Sequence, residues 1–246
     1  MAYYTKNNRP IAIKRIEHME PPQENRGWVV HGCVAFVDGE PAGYIKISYI
    51  PKEKFEKLYP DVLHYLANIN GWCNLRAALE TKDIDSILHA LDRTYKYPIA
   101  DGQDFEWKLS KISELTNNLK HSHQKDFEGF KEFHMDKPLV DFIRVYNEHE
   151  EYMLNERGES VPREKIIDFQ RQGVGLALYQ EAATWMAEKG LCLYASGCQQ
   201  PCAAAVWDLL AAQGMTKVYT PKSKTKAHRK PRRYLDFNKP KLELSI

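Results

Sequence analysis

The stretch Phe169–Gly190, FQRQGVGLALYQEAATWMAEKG, constrains the fold more than any other. Gln170-Arg171-Gln172-Gly173-Val174-Gly175 is a short loop with two glycines two residues apart. It runs straight into a helix pattern, with Val174, Leu176, Leu178, Ala182, Trp185 and Met186 at helical spacing and Gly190 as the stop. Backbone without side chains at Gly173 and Gly175 lets a ligand approach closely, and the unpaired N–H groups of a first helical turn point at it. Such a loop suits a phosphate. There is no third glycine in dinucleotide-fold spacing and no Gly-Lys-Ser/Thr, so neither a Rossmann fingerprint nor a P-loop is present.

The rest of the chain supplies strands before and after that loop. A strand is expected at Ile11–Ile16. Trp28–Val37 and Ala42–Ile50 are β-rich runs around Asp38-Gly39-Glu40-Pro41, which reads as an antiparallel hairpin. Residues 52–137 change to a helical period in three or four segments, with Pro60 splitting the first, and form a helical insertion. Pro138–Tyr146 returns to strand character. Asn147–Asp168 is polar and charged and reads as a long loop with a short helix. Beyond Gly190, Leu191–Ser196 is a strand and Pro201–Gln213 a helix that Gly214 ends. Thr216–Thr220 and Arg232–Phe237 are two further strands, joined by the basic segment PKSKTKAHRKP.

A chain of 246 residues accommodates one large domain carrying an insertion. The longest apolar run, Ala203–Ala212, is interrupted by Asp208 and too short for a bilayer, so no membrane partner is expected. MAYYTKNNRP lacks a signal-peptide core, and five scattered cysteines make no disulfide framework, which points to the cytoplasm. Charge is uneven. Residues 216–246 hold ten Lys/Arg and two Asp/Glu, while the preceding 215 hold 25 against 31. That local basicity needs a local explanation: an anionic ligand or nucleic acid met through 222–233, or a solvated hairpin tip.

In order, this is strand, hairpin, helical insertion, strand, glycine loop, helix, strand, helix and two strands. With the motif Gln-x-x-Gly-x-Gly at Gln170–Gly175, the chain resembles the GNAT acetyltransferase superfamily over about Pro138–Phe237. The resemblance extends less fully to Trp28–Ile50 and not to the helical insertion. It implies an α/β fold with a mixed, mainly antiparallel sheet and flanking helices. It also implies acetyl-CoA or another acyl-CoA as co-substrate. Gln170, Arg171, Gln172, Gly173, Val174, Gly175 and Leu176 would hold the pyrophosphate, and the pantetheine arm would lie in the splay between Pro138–Val145 and Leu191–Ala195. The implied reaction is attack of an amine on the thioester carbonyl, the amine belonging to a protein or small molecule. Nucleic acid or aminoacyl-tRNA as acceptor is the alternative, and a non-catalytic binding protein on the same fold is a third reading. Two departures stand out. Leu210 occupies the place where the family often has a proton-donating tyrosine, and the long insert before the motif replaces a short turn.

A lysine-type amine is neutral only about once in 2,500 molecules at pH 7, an unfavourable ~4.6 kcal/mol that a base would reduce. Glu148 and Asp141 are the catalytic candidates, Glu148 first because it lies just beyond the strand where the groove should open, with His149 beside it. Strand alternation predicts that Asp141 and Arg144 face opposite sides. No metal site is expected, because Cys198 and Cys202 lack the usual spacing and His121 and His123 read as solvated. Trp185 and Trp207 read as core.

Overall fold

The hairpin foreseen around Asp38-Gly39 forms the middle of a large sheet. In the structure, a computed structural model that describes residues 2–19, 27–69, 73–95, 104–196, 199–220 and 232–237, the chain opens with β1 (Tyr3–Tyr4) and β2 (Pro10–Ile16). The hairpin is β3 (Val29–Val37) and β4 (Glu40–Tyr49). Asp38 and Gly39 both take positive φ, 52° and 83°, the handedness that a tight two-residue turn between twisted strands demands.

Five helices follow among the described residues, where periodicity predicts three or four. They are α1 (Lys52–Leu58), α2 (Val62–Ile69), α3 (Cys73–Thr81), α4 (Ile84–Tyr95) and α5 (Phe105–His134). Pro60 separates α1 from α2 as expected. Asp61 caps α2, its Oδ1 accepting from the backbone N–H groups of Leu63 and His64 at 2.8 and 3.0 Å. Asp104 does the same for α5, accepting from the Trp107 N–H at 2.8 Å. The helices enclose their own core, with Phe55, Tyr59, Leu66, Leu75, Leu88 and Leu119 fully buried. Entry and exit of this block lie side by side. Ile50 N–H donates to the His134 carbonyl and Asp136 N–H to the Ile50 carbonyl, both at 3.0 Å. The sheet therefore closes across the insertion.

After the block come β5 (Leu139–Val145), a short pair β6 (Tyr152–Leu154) and β7 (Ser160–Pro162), then α6 (Val174–Glu188), β8 (Leu193–Tyr194), α7 (Pro201–Ala212), β9 (Thr216–Tyr219) and β10 (Arg232–Leu235). The main sheet has the order β1-β2-β3-β4-β5-β8-β10-β9. Every neighbouring pair in it is antiparallel except β5 and β8, which run parallel. The fold is thus mixed α/β with a mostly antiparallel sheet.

One face of this sheet is apolar and meets α6 and α7. Ile45, Ile47, Val140, Leu193 and Leu235 share a buried cluster with Leu178, Trp185, Trp207 and Leu210. Trp185 and Trp207 are core residues, as read from the sequence. The opposite face carries Tyr44, Lys46, Phe142, Arg144, Tyr194, Tyr219, Arg232 and Tyr234, which are register partners or two residues from one another along their strands.

The segment 147–168 corrects the expectation of a loop with a short helix. It contains the antiparallel pair β6–β7. The Asn155 side-chain oxygen accepts from the Arg157 and Glu159 N–H groups at 2.8 and 3.1 Å, and Gly158 takes φ 81°. That turn chemistry was hidden among charged residues. The pair lies on the sheet face away from α6. Lys14 pairs with Glu156 at 2.7 Å, the Leu154 N–H donates to the Tyr146 hydroxyl at 2.6 Å, and Gly158 sits beside Ile16 and Met19. Arg163 holds it down, donating to the carbonyls of Asn147, Glu150 and Ile167 at 2.6–3.0 Å, with its guanidinium 5.3 Å from the Tyr146 ring.

Candidate functional site

The strand–loop–helix passage is built by short-range hydrogen bonds. Phe169, fully buried, donates its N–H to the Tyr146 carbonyl at 2.9 Å, which fixes the loop to the end of β5. The Asp168 carboxylate accepts from the Gln170 N–H at 2.8 Å, and Gln172 Nε2 donates to the Asp168 carbonyl at 2.6 Å. Arg171 and Gly173 both adopt left-handed backbone, φ 59° and 96°, and together turn the chain into α6. From the other side Lys6 donates its N–H to the Gln172 carbonyl at 3.0 Å.

What this leaves exposed is a helix start. Gly173 is the N-cap residue and its side supplies no capping hydrogen bond. The first amide to reach an intrahelical acceptor is Ala177, on the Gly173 carbonyl at 3.1 Å. The N–H groups of Val174, Gly175 and Leu176 precede it and belong to the unsatisfied first turn. The positive end of the α6 dipole adds to the field there. Arg171 and Lys6 are both exposed beside the loop. Gln172 Oε1 is buried and finds no hydrogen-bond partner among the described residues. A Cβ at Gly175 would meet only Val145 and Val206 methyl groups at 3.6 and 3.9 Å, ordinary contacts. Protein packing therefore does not demand a glycine at 175.

Beside the loop, the sheet opens. β5 and β8 share a single rung, Leu139 opposite Tyr194, with the Tyr194 N–H on the Pro138 carbonyl at 2.8 Å. Past it the two strands follow different partners. β5 continues along β4 as far as the Val145–Gly43 rung, while Ala195 stays with β10 through an N–H bond to the Arg233 carbonyl at 2.9 Å. The edge of β5 that faces β8 is left with main-chain groups unmatched by that strand.

The register between β4 and β5 slips at the mouth of this gap. Ile47 opposes Val140 but Lys46 opposes Phe142, so Asp141 is the extra residue of a bulge. This corrects the simple alternation that separates Asp141 from Arg144. Asp141, Phe142 and Arg144 are all exposed. The two carboxylates singled out in the sequence are not brought together. Asp141 stands at the bulge where β5 and β8 begin to part, whereas Glu148 lies past the strand end in an exposed turn, 3.6 Å from His149.

Leu210 is fully buried in the core and supplies no proton donor. Tyr194, at the rung where the strands part, is a phenol that the sequence reading missed. Burial, with Cys192 and Tyr234 nearby, pushes its pKa up to about 12. It stacks on Tyr234 with ring centroids 5.3 Å apart. Lys137 approaches the same group, donating to the Tyr219 hydroxyl at 3.1 Å and lying 4.4 Å from that ring, and burial lowers its pKa. Only the strand pairing brings these residues together, so no sequence spacing announces them. Of the basic segment 222–233, residues 222–231 lie outside the described residues. Arg232 rests over the Phe133 ring at 4.0 Å and Arg233 pairs with Asp208 on α7. The described residues contain no group of His, Cys, Asp or Glu able to hold a metal. Cys198 lies outside them. No helix among them is long and apolar enough to cross a membrane.

Compared with the known protein families, with curated proteins and with solved structures, the chain gives no match.

Proposed function

We propose that this chain is an acyl-CoA-dependent N-acyltransferase of GNAT type, most simply an acetyltransferase. The observation that carries the reading is the single parallel rung between β5 and β8, followed on one side by a gap and on the other by the loop Gln170–Leu176 at the start of α6. An acyl-CoA needs both features. Its pyrophosphate needs several N–H donors and positive charge in one place, which the amides of Val174, Gly175 and Leu176, with Arg171 and Lys6, offer. Its pantetheine arm carries two amides and can pair with main-chain groups as a short strand would, and the β8-facing edge of β5 offers them. The buried Gln172 Oε1 is an acceptor without a donor, and a ligand N–H or O–H would satisfy it.

The coenzyme supplies an activated acyl carbonyl and a thiolate leaving group. The chain's own residues do the remaining work. In this reading main-chain N–H groups around the Asp141 bulge hydrogen-bond the thioester oxygen as it gains charge. Asp141 is better placed than Glu148 to take a proton from the incoming amine, since it stands where the strands part. With Leu210 apolar, Tyr194 is the phenol placed to return a proton to the sulfur. Its raised pKa keeps that proton on it at neutral pH.

Acetyl-CoA should raise the melting temperature through binding to the native state alone. An unchanged melting temperature at millimolar acetyl-CoA would remove the coenzyme reading. Mass spectrometry of host protein, tRNA and DNA after expression, scanned for an added acyl mass, identifies the acceptor.

A further inference from the structure

Turned away from α6 and α7, the sheet presents an aromatic and cationic surface that the coenzyme reading uses only at Tyr194. We propose that this surface binds a single-stranded polynucleotide and that a base amine of that strand is the acyl acceptor. The inference rests on the acyl-transfer reading for its chemistry but not for its binding.

Three observations support it. First, two stacked aromatic pairs flank the gap between β5 and β8. Tyr44 and Phe142 lie on the β5 side with centroids 5.7 Å apart and an interplanar angle of 29°. Tyr194 and Tyr234 lie on the β8 side at 5.3 Å and 26°. Phe142 is 41% exposed. Aromatic side chains across a sheet face, reached from the open side, are a general means of holding unstacked bases, because every base presents a π-face.

Second, cations alternate with these rings. The Arg144 guanidinium lies 5.2 Å from the Phe142 ring and 3.5 Å from Glu150, Lys46 is the register partner of Phe142, and Lys217, the register partner of Tyr234, pairs with Asp236 at 2.6 Å. The sequence between Thr220 and Arg232, outside the described residues, holds Lys222, Lys224, Lys226, Arg229 and Lys230 with no acid. Its ends join the sheet at the Tyr219–Arg232 rung, beside this face. A polyanion suits that charge; an amine-bearing peptide, itself cationic, does not.

Third, the carboxylates that a lysine-like acceptor would need as bases, Asp141 and Glu148, are both exposed. An exocyclic base amine is uncharged at pH 7 and needs no prior deprotonation. Its nitrogen forms the bond to the thioester carbonyl carbon as the C–S bond breaks. The proton the nitrogen sheds leaves with the coenzyme sulfur, so atoms and charge balance.

The β6–β7 pair and the end of α5 bound this face on opposite sides. Tyr146 and Arg163 anchor the first, and the contacts of Tyr219 with Glu132 and of Arg232 with Phe133 anchor the second. A single strand can offer unstacked bases to such a face, whereas a duplex keeps its bases stacked inside.

Fluorescence anisotropy with labelled single-stranded DNA and RNA of mixed sequence, in the absence of coenzyme, tests this directly. Binding should weaken roughly tenfold between about 50 and 200 mM salt if two or three phosphates are neutralised. Phe142→Ala and Tyr234→Leu should each weaken it by about fivefold or more. Phe142 is exposed and Leu keeps much of the Tyr234 volume, and an unchanged melting temperature certifies each fold. A preference for one sugar names the source of the strand. No binding at low salt overturns the proposal, as do wild-type affinity in both variants, tighter binding to duplex, or equal competition by a lysine-rich peptide. Thermal shift with acetyl-CoA is recorded separately. Oligonucleotide binding without a coenzyme shift would leave this surface standing and remove the acyl-transfer reading, and the converse result would do the opposite.

Discussion

Stability and coenzyme binding should move in opposite directions at Gly175. A Cβ built there meets only Val145 and Val206 methyl groups at 3.6 and 3.9 Å, and its φ lies outside the left-handed region that favours glycine. Alanine is therefore compatible with the fold, and inside a helix it should stabilise by about 0.5–1 kcal/mol relative to glycine. For a chain of this size each kcal/mol moves the melting temperature by about 2–4 °C, so Gly175→Ala should melt about 1–4 °C higher. Coenzyme at 100 times its Kd stabilises the wild type by about 2.7 kcal/mol. If the bare Cα is there so that pyrophosphate can reach the first-turn amides, a methyl group displaces it. Losing one charge-assisted hydrogen bond costs about 1.5–3 kcal/mol, a rise in Kd of about tenfold or more. At the same coenzyme concentration the stabilisation falls to about 1.4 kcal/mol or less. Differential scanning fluorimetry with and without acetyl-CoA, backed by calorimetric titration, reads both changes in one variant. A Gly175→Ala protein that melts higher and binds coenzyme with the wild-type Kd would refute the assignment of this loop. Gly173→Ala is the contrast. With φ 96° it should destabilise by about 1–2 kcal/mol before any ligand is added.

Three other expectations follow from the same geometry. Tyr194→Phe keeps the ring and removes the proton, so kcat should fall about 10- to 100-fold while the coenzyme thermal shift is unchanged; an unaltered kcat would excuse Tyr194 from proton transfer. Burial lowers the pKa of His31 below 6.5, with Glu17 opposing that shift and Lys189 and His18 reinforcing it. The unfolded chain therefore binds the proton first, and stability should decline as pH falls below 6.5, a slope that His31→Gln should reduce in urea titrations at several pH values. Phe55, 1% exposed among Tyr59, Phe127 and Phe130, should cost about 3–4 kcal/mol when replaced by alanine, and protease sensitivity should appear first within 52–134.

Legibility in the sequence followed the range of the interaction concerned. The hairpin was readable because its turn chemistry is local to Asp38-Gly39, and α1, α2 and α6 were readable because their apolar stripe or their breaks recur within one or two turns. The segment 147–168 was misread for the complementary reason. Its strands are three residues each, too short to show alternation, and its anchors are the distant Tyr146, Lys14 and Ile16. The Asp141 bulge was equally invisible. Whether a strand carries one residue too many is decided by its partner, here β4, and a parity rule applied to β5 alone fails at that point. Helix α3 escaped because Leu75 and Ala78 alone are fully buried among its described side chains, too few to announce a period.

The two halves of the candidate site differ in the same way. The loop Gln170–Leu176 is continuous in sequence, and its chemistry lies in the main chain, which a glycine pattern before a helix reveals. The structure adds that Gly173 is required by backbone geometry while Gly175 is not required by packing, which is why the second glycine is the sharper probe of a ligand. The opposite face has no such signature. Tyr44, Phe142, Tyr194 and Tyr234 come from four strands separated by a helical block, a loop and a helix, and they share a face only because β5 and β8 run parallel while their outer neighbours run antiparallel. A parallel rung at Leu139–Tyr194 sets both features at once. It opens the gap that suits the pantetheine arm and fixes which side of β8 joins Phe142. Changing the order of the last three strands would keep the glycine loop intact and dismantle the aromatic surface. The donor and acceptor readings are therefore separable in evolution as well as in the assays above.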